Sequence, residues 1–196
     1  MTQSNSSGPN SREPNDSGPN TGGPQDESRA RALRRFLDAA ASGGPAVAVT
    51  TVADLPAPGP DARVRTVSGT TATTLGGLYT SFARVWGFPD HFGRNKDAFD
   101  DCMRDLDAPD AEGRVPDTIV VHITQAHRLL DDDRSGFDWF AESVDFYRDH
   151  YRDAGRGFAV ILSTSSSRLA AVRSRWQEAG VAVADLATES STGEDH

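Results

Sequence analysis

The sequence lacks three features: a second cysteine, a long apolar run and a cationic opening segment. Its single cysteine, Cys102, has no partner for an internal disulfide bond. The longest apolar runs, such as residues 46–49 and 119–121, are far shorter than the roughly 20 residues of a membrane-spanning helix. No positively charged segment followed by an apolar stretch opens the chain, which argues against secretion. We therefore expect a cytoplasmic protein that does not enter a membrane.

Basic side chains are also scarce relative to acidic ones. The chain has 29 acidic and 20 basic residues and a formal charge of -9 at pH 7. A nucleic-acid-binding protein gains affinity by neutralising phosphates, so this balance argues against nucleic acid as the partner. A basic protein partner fits the sign of the charge better.

Composition divides the 196 residues into one domain and several flanking segments. The first segment is almost entirely small or polar, and such a composition predicts disorder because it cannot form a core. Proline and glycine at 56–60 predict a linker ahead of the domain. The predicted segments are a disordered tail (1–26), a helix-strand preface with its linker (27–61), the domain (62–163), an appended helix-strand unit (164–187) and a polar tail (188–196).

Hydrophobic periodicity alternates along the chain between strand-like and helix-like patterns. Short apolar runs predict strands at 46–52, 63–67, 118–123, 158–162 and 181–186. Helical spacing predicts helices at 27–41, 75–86, 95–106, 137–154 and 167–179. Short strands separated by helices are typical of a parallel sheet covered by helices. We predict an α/β fold with a small, mostly parallel β-sheet packed with helices, extended by a C-terminal helix-strand unit.

The predicted helix at 95–106 concentrates negative charge on one side. Asn95 is a favourable N-cap residue. Helical spacing directs an apolar set toward the core and Asp97, Asp101 and Arg104 toward solvent. Two aspartates four residues apart repel each other by roughly 0.2–0.5 kcal/mol, so Asp101 adds nothing to helix stability. Such a face suits docking against a cationic cleft. The apolar set comprises Phe99, Cys102, Met103 and Leu106.

This helix and the loop before it resemble the barstar family of ribonuclease inhibitors. That family has a loop of the form Pro-x-x-aromatic-Gly-x-Asn, followed by a helix with two aspartates four residues apart. The matching residues are Pro89, Phe92, Gly93, Asn95, Asp97 and Asp101. The similarity extends backward through Gly69 and forward to the strand that ends at Ser163, and it covers about residues 63–163 in all.

The resemblance implies a protein that binds and inhibits, and that is not an enzyme. Asp101 would occupy the place of the scissile phosphate in a basic, secreted, barnase-like ribonuclease, and Asp97 would pair with a basic residue beside it. Asn95, Gly93 and Phe92 would cover the guanine-recognition region of that enzyme. The implied inhibitor is a monomer in a 1:1 complex, needs no cofactor or metal, and has a role in toxin immunity.

The chain departs from the family pattern at three positions of the expected binding surface. His91 stands where the family commonly has another aromatic residue, and Asp100 stands where an aromatic residue separates the two aspartates. His150 aligns with an acidic residue of the third helix, although Asp149 precedes it. We therefore include His91, Asp100, Asp149 and His150 among the expected partner-binding residues.

Two other functions remain compatible with the residues themselves. Asp97 and Asp101 could form a carboxylate pair of the kind that hydrolyses glycosides, although two exposed carboxylates without a pocket argue against it. Alternatively, a barstar-like module could bind a different basic toxin or a housekeeping partner. The five histidines are scattered, and residues 131–133 lack the glycine and distal glutamate of a calcium loop, so we expect no metal site.

Overall fold

A computed structural model describes residues 23–186 and confirms the α/β class. None of the helices in this range is both long and apolar enough to cross a membrane. The helices are α1 (Pro24–Ala41), α2 (Leu75–Trp86), α3 (Lys96–Arg104), α4 (Arg134–Asp153) and α5 (Ser166–Glu178), and the strands are β1 (Val47–Thr50), β2 (Ala62–Ser68), β3 (Thr118–Thr124), β4 (Gly157–Ser163) and β5 (Val183–Asp185).

The five strands between residues 23 and 186 form one parallel sheet in the order β2-β3-β4-β1-β5. The three central strands, β3, β4 and β1, are buried along nearly their whole length. Their continuous apolar runs are typical of strands that helices cover on both faces. The prediction of a mostly parallel sheet is confirmed.

The predicted preface is part of the sheet rather than a segment ahead of it. Val47 of β1 pairs with Val160 of β4 on one side and with Val183 of β5 on the other. The sequence pattern placed β1 before the domain because it shows only the order along the chain. Neighbouring strands of a parallel sheet can be far apart in that order, as β1 and β4 are. The C-terminal unit extends the sheet by one strand, and it does so through β1.

The first helix begins earlier than the sequence pattern predicted. α1 starts at Pro24, whereas residues 24–26 were assigned to a disordered tail. Proline is favoured in the first turn, where an amide hydrogen would have no helical acceptor, and Asp26 and Glu27 interact favourably with the positive end of the helix dipole. The remaining part of that predicted tail, residues 1–22, and the predicted tail at 188–196 lie outside the described residues.

Two apolar layers cover the two faces of the sheet. Side chains alternate along β3, so that Ile119, Val121 and Ile123 enter the larger core with α2, α3, α4 and α5. Val120 faces the opposite way and contacts the smaller core formed with α1. From α1 this smaller core contains Leu33, Phe36, Leu37 and Ala40. The helix with the paired aspartates therefore lies on the opposite side of the sheet from α1.

A cluster of aromatic rings packs against the buried face of α3. Phe99 is fully buried, and its ring lies 5.1 Å from Phe82, 5.6 Å from Trp139 and 5.8 Å from Phe88 between centroids. These rings belong to α2, to α4 and to the loop before α3. Phe99 therefore anchors α3 between its two neighbouring helices and leaves its other side free.

Candidate protein-binding surface

The loop before α3 is anchored at both ends. Gly87 terminates α2 in the left-handed region, with φ of 69°, a conformation that glycine adopts without strain. The backbone amide of Phe92 donates to the carbonyl oxygen of Pro89 over 2.9 Å. The Phe92 ring packs edge-on against Phe88 and Tyr79, at centroid distances of 5.2 and 5.9 Å. Phe92 is therefore half-buried, while His91 and Gly93 beside it are exposed.

Asn95 begins α3 as the sequence predicted. Its side-chain oxygen accepts a hydrogen bond of 2.8 Å from the amide of Ala98, which otherwise has no acceptor at the start of a helix. This bond commits the Asn95 side chain to the helix. A partner that contacts Asn95 would meet mainly its backbone.

Asp97 and Asp101 both point to solvent, as the helical spacing predicted. Asp97 forms no ion pair with any residue between 23 and 186. The Asp101 carboxylate pairs with the guanidinium of Arg104 one turn later, yet its side chain is 70% exposed. An exposed pair of this kind contributes little to stability, so Asp101 can exchange Arg104 for another cation at small cost.

Asp100 lies between α3 and α4 rather than on the exposed face. Its carboxylate accepts a hydrogen bond from the Tyr147 hydroxyl of α4. Burial raises the pKa of the Asp100 carboxyl, although the Tyr147 bond opposes that effect, and burial also raises the pKa of Tyr147. The Asp100 carboxylate is thus half-buried and hydrogen-bonded to a neighbouring helix, which leaves it less available to a partner than the exposed carboxylates of Asp97 and Asp101.

A groove of about 650 Å³ joins the loop to α3. His91, Phe92, Gly93 and Asp101 line it together, so the fold brings these four expected residues to one surface. The groove also has basic lining residues that the sequence analysis did not identify, namely Arg63, Arg65 and Arg84. Nothing in their local sequence marks them, because β2 and the end of α2 reach the groove only through the tertiary fold.

The helical position of Cys102 predicted a core residue. The structure differs, because Cys102 is only partly buried and lines this groove. Burial raises the pKa of its thiol, and the nearby carboxylates of Asp105 and Asp101 raise it further. A raised pKa lowers the thiolate fraction, which is the reactive form.

Asp149 and His150 lie near the end of α4. The Nε2 of His150 donates to the backbone oxygen of Arg104 over 3.2 Å. Asp149 forms ion pairs with Arg148 and Arg152 of its own helix. His150 therefore contacts α3, whereas the ion pairs of Asp149 stay within α4, and neither residue lines the groove that the loop forms with α3.

A family model described as Barstar (barnase inhibitor) matches residues 62–163 of the chain. The match covers just over half of the sequence and spans α2, α3 and α4 together with β2, β3 and β4. It therefore contains both the loop and the acidic helix. No curated protein matches the chain.

Proposed function

Since this chain belongs to the barstar family, we propose that it inhibits a barnase-like ribonuclease by covering the active site of that enzyme with α3 and the preceding loop. The observation that carries the proposal is the exposure of Asp101 on a helix face that meets the loop in one groove. A basic active-site cleft would attract this acidic face and orient it during association.

In the proposed complex Asp101 enters the phosphate-binding pocket of the ribonuclease. There it leaves Arg104 and gains several cationic partners away from water, where charge-assisted hydrogen bonds are strongest. Asp97, one turn earlier on the same face, pairs with a basic residue at the edge of the cleft. We infer that the inhibitor catalyses no reaction, since both carboxylates lie exposed on the surface of one helix, where they suit contact with a partner better than proton transfer to a bound substrate.

The loop contributes shape rather than charge. Phe92 is braced by Tyr79 and Phe88, so its exposed edge is held in place before binding. Preorganised contact surfaces lose less conformational entropy on binding. His91 and Gly93 flank this edge and contact the same region of the enzyme, and Asp149 and His150 form the far rim on α4. We propose a monomer in a 1:1 complex without cofactor or metal.

The alternative, a barstar-like module for a different basic partner, is favoured by the three arginines of the groove. A ribonuclease cleft that is basic throughout would repel Arg63, Arg65 and Arg84 unless they lie outside the contact. A partner that carries an acidic residue beside its basic cluster would satisfy both signs.

The first experiment is calorimetric titration against a barnase-like ribonuclease, with inhibition of its activity measured in parallel. Asp101→Ala should weaken binding by about 2–5 kcal/mol, because it leaves buried cationic groups of the enzyme without a partner. The melting temperature of the free protein should change little, since surface substitutions usually stay within about 0.5 kcal/mol.

Asp38→Ala is the matched control, because Asp38 is exposed on α1, on the opposite side of the sheet. It removes the same charge and should leave binding unchanged. Equal affinities of the parent and the Asp101 variant would refute the phosphate-mimic role. No binding by the parent itself would favour the alternative partner.

A further inference from the structure

The acidic helix is too short to hold its own position. α3 has nine residues, and isolated helices of fewer than about 12–15 residues are marginal in water. Its final carbonyl groups also need hydrogen-bond donors from outside the regular helical pattern. Whatever fixes α3 must therefore come from its neighbours.

Tyr151 of α4 closes the end of α3 with a single hydroxyl group. This hydroxyl donates to the backbone oxygen of Met103 over 2.6 Å and accepts from the amide of Leu106 over 3.0 Å. It satisfies one of the last carbonyl groups of the helix and an amide just beyond it. The Tyr151 side chain is fully buried, so water cannot replace either bond.

Tyr147, one turn earlier on α4, holds the middle of α3. Its hydroxyl donates to the carboxylate of Asp100, the residue next to Asp101. This bond fixes the rotation of α3 about its own axis, because Asp100 must face α4 for it to form. With Asp100 facing α4, Asp101 lies about 100° further around the helix and is turned toward solvent.

The hydroxyl groups are separable from the packing of the two rings. Both rings contact Phe158 of β4, at centroid distances of 5.7 Å for Tyr147 and 5.6 Å for Tyr151. A phenylalanine at either position would keep this contact and the buried apolar area. It would lose the bonds of the hydroxyl group, which are one bond to α3 at Tyr147 and, at Tyr151, one bond to α3 and one to Leu106 just beyond it.

We propose that Tyr147 and Tyr151 are positioning residues that hold α3 in its binding orientation through their hydroxyl groups. The inference rests on the proposed function for its effect on binding, but the restraint on α3 is a property of the free protein. Neither tyrosine touches the partner, and each acts through the residue that it bonds.

Hydrogen exchange in the free protein tests the restraint directly. Tyr147→Phe removes one hydrogen bond of typical strength to α3 and should lower the protection of α3 amides by about tenfold. Tyr151→Phe removes two and should lower it by at least as much. Protection of β3 and β4 should stay at the parent level. Thr80→Val is the control, because the Thr80 hydroxyl bonds only Gly76 within its own helix. Unchanged protection of α3, or an equal loss across the sheet, would overturn the proposal.

A double-mutant cycle tests the consequence for binding. Tyr147→Phe should weaken binding to the ribonuclease several-fold in the parent, and much less in the Asp101→Ala background, because it acts by orienting that carboxylate. Equal losses in both backgrounds would overturn the positioning role. If the parent does not bind a ribonuclease, the proposed function fails, while hydrogen exchange still decides whether the tyrosines restrain α3.

Discussion

The helices α1 and α3 lie on opposite faces of the same sheet, and different interactions hold each of them. α1 has 18 residues and four buried apolar side chains, but no side chain caps its N-terminus. α3 has half that length and only Phe99 and Met103 buried within it, yet it has an asparagine cap and hydrogen bonds from α4. A structural helix can rely on its own apolar face, whereas a helix that displays charge depends on its neighbours.

The largest expected effect is on the free energy of unfolding, and it comes from a substitution in α1. Phe36→Ala should lower the free energy of unfolding by about 3–5 kcal/mol, because it leaves a cavity between α1 and the sheet. Ribonuclease binding by the folded variant should equal that of the parent, as measured by titration well below its melting temperature. Exposed Arg31 on the same helix supplies the control Arg31→Ala. A loss of affinity in the folded Phe36 variant would mean that α1 is more than a structural layer.

The cap of α3 gives the next largest effect. Asn95→Ala removes the acceptor of the Ala98 amide and should cost about 1 kcal/mol in chemical denaturation. Binding should weaken as well, since Asp97 lies in the turn that the cap fixes. Asn95→Asp keeps a capping oxygen and should restore stability. If stability falls while binding is unaffected, the first turn of α3 is not part of the interface.

A pH-dependent effect is expected on the α1 side of the sheet. His122 is on the same face of β3 as Val120, and its ring nitrogens bond Thr66 and Ser163 at 3.2 and 2.7 Å. Burial lowers the pKa of His122, although the Asp54 carboxylate opposes this effect. The unfolded chain therefore takes up a proton more readily than the folded protein.

Because the unfolded chain is protonated first, the contribution of His122 to stability is fully present above the ordinary histidine pKa of about 6.5. It decreases as the pH falls below that value. Denaturation at several pH values between about 7.5 and 5.5 measures the slope. His122→Asn should show a smaller slope. An unchanged slope in that variant would assign the effect to another group.

The smallest expected effect is on binding affinity, and it concerns Arg104, the residue that pairs with the Asp101 carboxylate. Arg104→Ala removes a like charge from the path of a basic partner and frees the Asp101 carboxylate. Because the pair is exposed, affinity should rise by no more than about fivefold. Arg168→Ala on α5 makes the same change in net charge elsewhere and is the control. Weaker binding of the Arg104 variant would show that Arg104 supports the interface instead of competing for it.

Several parts of the candidate site could be predicted because they depend on neighbours along the chain. Asn95 was identified as a cap, and Asp97 and Asp101 as solvent-facing, from the helical period alone. Asp100 could not be assigned in this way. Its position on the helix is compatible with partial exposure, and only the hydroxyl of Tyr147, 47 residues later, turns its carboxylate toward α4.

The tyrosines themselves carried a weak signal that the sequence analysis did not use. A buried tyrosine usually has a hydrogen-bond partner for its hydroxyl, so tyrosine instead of phenylalanine at an inward position of α4 indicates a polar contact in the core. The pattern indicates that a partner exists, but it cannot identify that partner as Asp100 or as the end of α3.

The sequence by itself determined the α/β class, the helix and strand positions to within a few residues, and the acidic face of α3, because each follows from a local period. Only the tertiary structure decided that β1 lies inside the sheet between β4 and β5, that Arg63 and Arg84 reach the groove, and that α4 restrains α3. These features join residues that are distant along the chain. Their contacts form only when the strands are ordered in space, so no local pattern of residues specifies them.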